Sequence, residues 1–258
     1  MIEKYLGEPE VEPRKEWGFS ELQQRVRVIY EKHDLECGYG AATILAKTLG
    51  NAATLKQVIR KTPDDFNSID RSLTNVFIWT STFANVAKMD LQEILEGKFG
   101  SGCPHCKQMP CLLAKGEKCE KPQDWKPLPS KNPRTLTQWQ NHLEAMYPNN
   151  FKGDLGEALK KTSGRITDEI GELIVSSYRD IEEEIKTVSF QEGTNPWESE
   201  IADALAWSFA LANCLKKIRA TYSIENSLKE KYKEGCSYCK SPECICPKAK
   251  TFIDEAKK

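Results

Sequence analysis

The chain repeats itself, and that constrains its fold more than any single motif. Phe19-Ser20-Glu21-Leu22-Gln23, with Val26, Ile29 and Tyr30 on one helical face, recurs as Leu136-Thr137-Gln138-Trp139-Gln140, with Leu143 and Tyr147 following at matching offsets. Ser20 reads as a helix N-cap with Gln23 closing a capping box, and Thr137 takes the place of Ser20 in the second occurrence. Three more stretches match in the same order. Ile44–Asn51 corresponds to the stretch ending Thr167-Asp168-Glu169-Ile170-Gly171-Glu172, with Gly50 and Gly171 in register. Ser72-Leu73-Thr74-Asn75 corresponds to Glu200-Ile201-Ala202-Asp203, and each is followed at equal distance by a tryptophan (Trp79, Trp207) and an Ala-Asn pair ending in Asn85 or Asn213. Gly102-Cys103-Pro104-His105-Cys106 corresponds to Gly235-Cys236-Ser237-Tyr238-Cys239.

The expected architecture is therefore all-α. Two tandem helical-bundle repeats, each of three substantial helices, a shorter fourth and a terminal cysteine knuckle, pack as an intrachain pseudo-dimer. Helical periodicity dominates and strand signals are nearly absent. The boundaries predicted are an N-terminal arm over 1–17, a first repeat over 18–119, a proline-rich linker over 120–134, a second repeat over 135–247, and a charged tail over 248–258. Trp125 in the linker is expected to pack on one of the repeats.

Composition limits the partners. With 39% hydrophobic residues the 258-residue chain can bury a real core, and 37 basic against 38 acidic residues leave no global field to recruit nucleic acid or an anionic membrane. The longest near-apolar run, Ala204 to Leu215, is too short to span a bilayer, and the opening Met1–Glu10 stretch lacks a signal-peptide core. These features predict a cytoplasmic protein with reduced thiols. Eight of the 10 cysteines fall in two tight clusters with metal-ligand spacing. Cys236, Cys239, Cys244 and Cys246 offer one set of four thiolates suited to zinc. Cys103, Cys106 and Cys111 form the other, with Cys119 as the fourth ligand and His105 as a substitute. A closed shell of four ligands leaves no open position, so both sites are expected to be structural. Cys37 and Cys214 read as buried and inert.

The second repeat alone carries two acidic pairs at helical i, i+3 spacing, Glu169 with Glu172 and Glu200 with Asp203. Each pair borders apolar residues. Four carboxylates brought together there repel and lose hydration, which a divalent cation offsets. In the first repeat Thr48, Asn51, Ser72 and Asn75 stand at those positions, so the fold does not require the acids.

This signature, an acidic pair with Gly171 between its members, 27 intervening residues, then Glu-x-x-Asp, resembles the MazG nucleotide pyrophosphohydrolases. The Gly-Cys-x-x-Cys-x-x-x-x-Cys ending is similar to the tail of short bacterial MazG-like proteins. The resemblance implies a metal-dependent hydrolase that converts a nucleoside triphosphate to the monophosphate and pyrophosphate. Glu169, Glu172, Glu200 and Asp203 would be ligands for Mg2+ or Mn2+, and one of them could instead serve as general base. The first repeat, lacking all four acids, is expected to be inactive and to serve as a pseudo-partner lining the pocket.

Asn213, Trp207 and Lys216 are candidate substrate contacts. A buried interhelical hydrogen bond, core packing and plain solvation are their respective alternatives. His33 and His142 read as surface or packing residues. The competing function is a non-catalytic nucleotide- or nucleic-acid-binding helical zinc protein. Near-zero net charge and the lack of an aromatic-basic stripe argue against nucleic acid. A monomer containing an intrachain pseudo-dimer and a homodimer both fit the sequence.

Overall fold

A computed structural model describes residues 16–119, 132–148, 153–184 and 196–247, with the backbone alone for 115, 177–184 and 196. Residues 1–15 of the expected arm, most of the expected linker including Trp125, residues 149–152 and 185–195, and the expected tail over 248–258 lie outside the described residues. Among the described residues there are eight α-helices and no strand. They are α1 (Phe19–Glu36), α2 (Ala41–Lys61), α3 (Phe66–Val86), α4 (Leu91–Phe99), α5 (Leu136–Met146), α6 (Leu155–Glu184), α7 (Pro196–Ile218) and α8 (Ile224–Tyr232), with one 3-10 turn at Leu112–Lys115. None is long and apolar enough to cross a membrane.

Apolar patterning sets which helices are central. Helix α3 buries Leu73, Val76, Phe77, Ile78, Phe83 and Ala84, and α7 buries Ile201, Leu205, Phe209, Leu211 and Leu215; helices apolar on most of their circumference belong inside. They pack on each other, with the Phe77 and Phe209 rings 5.2 Å apart and nearly perpendicular, and Phe19 meeting Phe209 edge-on at 6.0 Å. Around this pair, α1 packs on α3 and α4, while α5 packs on α7 and α8. Helix α2 lies on α3, α6 lies on α7, and α2 and α6 touch each other. The short helices cross over, α4 reaching α7 and α8 reaching α3.

Matching hydrogen bonds hold the two sets. Gln23 donates to the Met89 carbonyl, accepts from the Leu91 amide at 3.0 Å, and takes Asn85 Nδ2 on its carbonyl at 2.9 Å. Gln140 accepts from the Ile224 amide at 3.0 Å and takes Asn213 Nδ2 on its carbonyl at 3.1 Å. Each clamp satisfies the amide opening a short helix, a group that has no partner inside that helix.

The helix starts differ from the sequence reading. Helix α1 is capped by Gly18, whose amide donates to Glu21 Oε2 at 3.0 Å, and α5 by Thr135, whose side chain accepts from the Gln138 amide. Ser20 and Thr137 lie inside the first turn, because a single antiparallel bridge between Gly18 and Thr135 draws both chain entries together and fixes where the helices begin. The Leu136 amide completes this join by donating to the Trp17 carbonyl at 2.7 Å.

Candidate functional site

Helices α6 and α7 bring the acids together. Ile166, Ile170 and Leu173 on α6 face Ile201, Ala204 and Leu205 on α7, all fully or nearly fully buried, and this seam leaves the intervening carboxylates at its edge. Oxygens of Glu169, Glu200 and Asp203 all lie within 4.8 Å of one another, so these three could share one cation. Glu172 is exposed and stands outside that close set, yet its charge reaches both Glu169 and Glu200. Asp168 is exposed, as its place on the helix implies.

The crowding is visible in the proton affinities. Burial, then the charges of Asp203, Glu172 and Glu200, push the Glu169 carboxyl up to about 7. Burial, then Asp203 and Glu172, raise Glu200 as well. One cation opposes this: Lys98, from the C-terminal turn of α4, places its ammonium 2.6 Å from Asp203 Oδ2, and donates to Ser199 Oγ at 2.9 Å and the Ser199 carbonyl at 3.0 Å. Lys98 is buried, so its pairing with Asp203 is little screened by solvent. The sequence reading missed Lys98. Its signal was the register Glu96-Gly97-Lys98-Phe99 against Lys229-Glu230-Lys231-Tyr232, in which the lysine and the following aromatic coincide.

One turn along each helix, the Arg165 guanidinium lies 5.9 Å from the Trp207 ring, so the partly exposed indole is bounded by a cation beside the acids. Arg165 was also not singled out from sequence. Gly171, whose α-carbon looks into open space, needs no glycine for packing, and Gly50 is the same. The other two candidates sit elsewhere: Asn213 is fully buried in the Gln140 clamp, and Lys216 near the C-terminal end of α7 pairs with Glu144 on α5 at 2.9 Å.

At the matching positions of α2 and α3, the polar atoms turn inward or away. Thr48 Oγ1 donates to the Ile44 carbonyl, Asn51 Nδ2 to Lys47, and Ser72 Oγ to Ser68, each bonding its own helix one turn back. Asn75 Oδ1 accepts from Lys231 of α8 at 2.6 Å.

The cysteine clusters form two further sites. Cys103, Cys106, Cys111 and Cys119 place their sulfurs within 4.8 Å of one another, as do Cys236, Cys239, Cys244 and Cys246. The closest separations are 3.6 to 3.9 Å. A tetrahedron with metal–sulfur bonds of about 2.3 Å has edges of about 3.8 Å, so both sets could hold a structural metal such as zinc. Cys119, not the exposed His105, completes the first set.

Local backbone prepares the thiols. Burial works against ionisation of Cys106, but amide bonds from Leu112 and Gln108 bring it down to about 7, and amides of Ile245 and Ser241 bring Cys239 down to about 6. Gly102 and Gly235 precede the first cysteines at φ 128° and 132°, where a side chain would meet the Lys107 or Ser241 carbonyl. Each loop docks on a helix distant in sequence. The Cys111 amide donates to the Met146 carbonyl of α5 at 2.9 Å, and the Cys244 amide to the Ile29 carbonyl of α1 at 2.7 Å. Tyr147 donates its hydroxyl to Cys103 Sγ at 3.6 Å.

Of the remaining cysteines, Cys214 is buried as expected, whereas Cys37 is partly exposed beside the His33 ring. His142 bonds the Phe99 carbonyl at 2.9 Å, a packing role. Comparison of the chain with known protein families, with curated proteins and with solved structures gave no match.

Proposed function

We propose that the chain is a tandem duplication of one MazG-like helical unit folded as an intrachain pseudo-dimer, and that its second copy is a nucleoside triphosphate pyrophosphohydrolase. The duplication reading is supported by the paired interactions: the Gln-Asn clamps, the crossed dockings of the cysteine loops, and the equivalent lysines Lys98 and Lys231. The catalytic reading rests chiefly on one observation, the convergence of Glu169, Glu200 and Asp203 oxygens within 4.8 Å beside a partly buried seam.

Carboxylate oxygens are hard donors, and a set of this kind fits Mg2+ or Mn2+ rather than a thiophilic metal. When bound, such an ion would neutralise the triphosphate and acidify a coordinated water. Glu169, Glu200 and Asp203 would hold it. In this reading Glu172, outside the close set and open to solvent, would accept the proton of the water that attacks the α-phosphorus as pyrophosphate departs. Lys98, paired with Asp203, offsets part of the acidic charge. Arg165 and Trp207, one turn from the acids on α6 and α7, offer a cation and an aromatic face for phosphate and base.

The test is a screen of nucleoside triphosphates with magnesium that assays pyrophosphate and orthophosphate separately. Pyrophosphate should be the first product, and Glu172→Gln or Asp203→Asn should each lower kcat by about 100-fold or more. Orthophosphate as first product, or pyrophosphate release that survives both substitutions, refutes the assignment.

A further inference from the structure

A cavity of about 760 Å³ opens between α3, α8 and the second cysteine loop, bordered by Arg71, Asn75, Arg219, Tyr222, Lys231 and Tyr238 among others. It occupies the position in the first half that corresponds to the edge of the acidic cluster in the second, a correspondence that rests on the proposed duplication. Its electrostatics are reversed. Lys98 and Lys231 reach across to α7 and α3 in the same way, each bonding a backbone carbonyl and two side-chain oxygens. For Lys98 one of those oxygens is the Asp203 carboxylate. For Lys231 all three acceptors, the Arg71 carbonyl, Thr74 Oγ1 and Asn75 Oδ1, are neutral, so no hydrogen-bonded anion balances its charge.

Two acids line the cavity against its three cations. Asp70, which accepts the Tyr222 hydroxyl at 2.9 Å, keeps its charge and acts on Lys231 through space, and Glu230 pairs with Lys233 at 2.8 Å. Arg71 and Arg219 add two more cations to the wall, and the Arg219 guanidinium is fixed in plane by stacking 4.0 Å over the Phe66 ring. A partly buried ammonium bonded only to neutral oxygens, flanked by two guanidinium groups, attracts a multivalent anion; planar guanidinium groups match phosphate oxygens in particular. The volume falls within the range of small-molecule pockets, and the exposed Tyr238 ring at the rim offers a stacking face.

From these features we infer that the cavity binds a polyphosphate anion of nucleotide size without a divalent metal. It is a second, non-hydrolytic site, distinct from the acidic cluster. The neutral Asn75 is what makes it so: an aspartate there would neutralise Lys231 and repel phosphate, whereas Asn75 orients the ammonium without cancelling its charge.

Calorimetric titration of the full chain with ATP and, separately, with inorganic pyrophosphate, in buffer free of divalent cations and chelators, tests this. One equivalent should bind. Lys231→Gln and the exposed-site change Arg71→Gln should each weaken binding at least 10-fold while Arg71→Gln leaves the melting temperature unchanged. Asp203→Asn and Glu169→Gln should leave it unaltered, which separates this site from the proposed hydrolytic one. Tighter binding of ATP than of pyrophosphate assigns the cavity to a nucleotide, and equal binding to the polyphosphate alone. Absence of binding to the wild-type chain, or binding that survives both Lys231→Gln and Arg71→Gln, overturns the inference.

Discussion

At the scale of single residues, the acidic cluster stores repulsion, and its sign can be read by titration. Glu169 holds its proton up to about 7, and Glu200 is shifted the same way, whereas an unfolded glutamate releases its proton near 4.5. Between those values the folded chain binds more protons than the unfolded one, so this site's contribution to stability is present at low pH and is lost as pH rises through about 7. Without added divalent cation, Glu169→Gln should therefore melt higher than the wild type at pH 8 and nearly equal to it at about pH 4, below the unfolded value. Magnesium should raise the wild-type melting temperature at pH 8 and do little for the variant. A wild type that gains on the variant as pH rises contradicts the cluster. The acids themselves were legible because both pairs keep helical spacing and neither is present in the similar sequence pattern of the first half. Lys98 and Arg165 were not, since what matters about Lys98 is a contact 105 residues away in sequence, and Arg165 is defined only by the ring that α7 sets opposite it.

At the scale of elements, the cysteine loops act as braces between helices that are far apart in the chain. The loop after α8 grips α1 through the Cys244 amide, and Arg25 of α1 returns the contact by donating to the Tyr232 and Lys233 carbonyls at 2.9 and 2.7 Å. Elemental analysis should find two zinc ions per chain, falling to one in Cys239→Ser. Loss of a metal site belongs with changes of about 4 kcal/mol or more. At about 2–4 °C per kcal/mol, the melting temperature should fall by about 10 °C. Unchanged zinc content and melting in Cys239→Ser would remove the brace from the account. The clusters were readable from spacing alone, down to the choice between Cys119 and His105 that only the fold settles. The helix starts were not: the capping pattern at Ser20 and Thr137 was outweighed by the Gly18–Thr135 bridge, a pairing with no local trace in either segment.

For the whole molecule, the core is shared rather than divided. Phe209 of α7 is sandwiched by Phe19 and Phe77 from the other half, and the acidic cluster takes Lys98 from α4. Residues 135–247 expressed alone should therefore be poorly folded and inactive on nucleotides. Adding separately made residues 18–119 should restore both structure and any hydrolysis, measured by circular dichroism and pyrophosphate release. A well-folded, fully active second half by itself would show that the first contributes nothing to the site. The all-helical class was visible in the periodicity because most of these helices carry apolar stripes. The crossing of α4 and α8 was not, because it is a choice of partner between two similar surfaces.

The hydrogen bonds from Arg25 to Tyr232 and Lys233 span 207 and 208 positions of sequence. A ribosome adding about 5–20 residues each second makes α1 about 10–40 s before its partners exist. A frameshift or premature stop ahead of the second cysteine loop thus harms the half already made as well as the half that is lost. Among the described helices, α1 is the earliest to be synthesised and among the last to be completed.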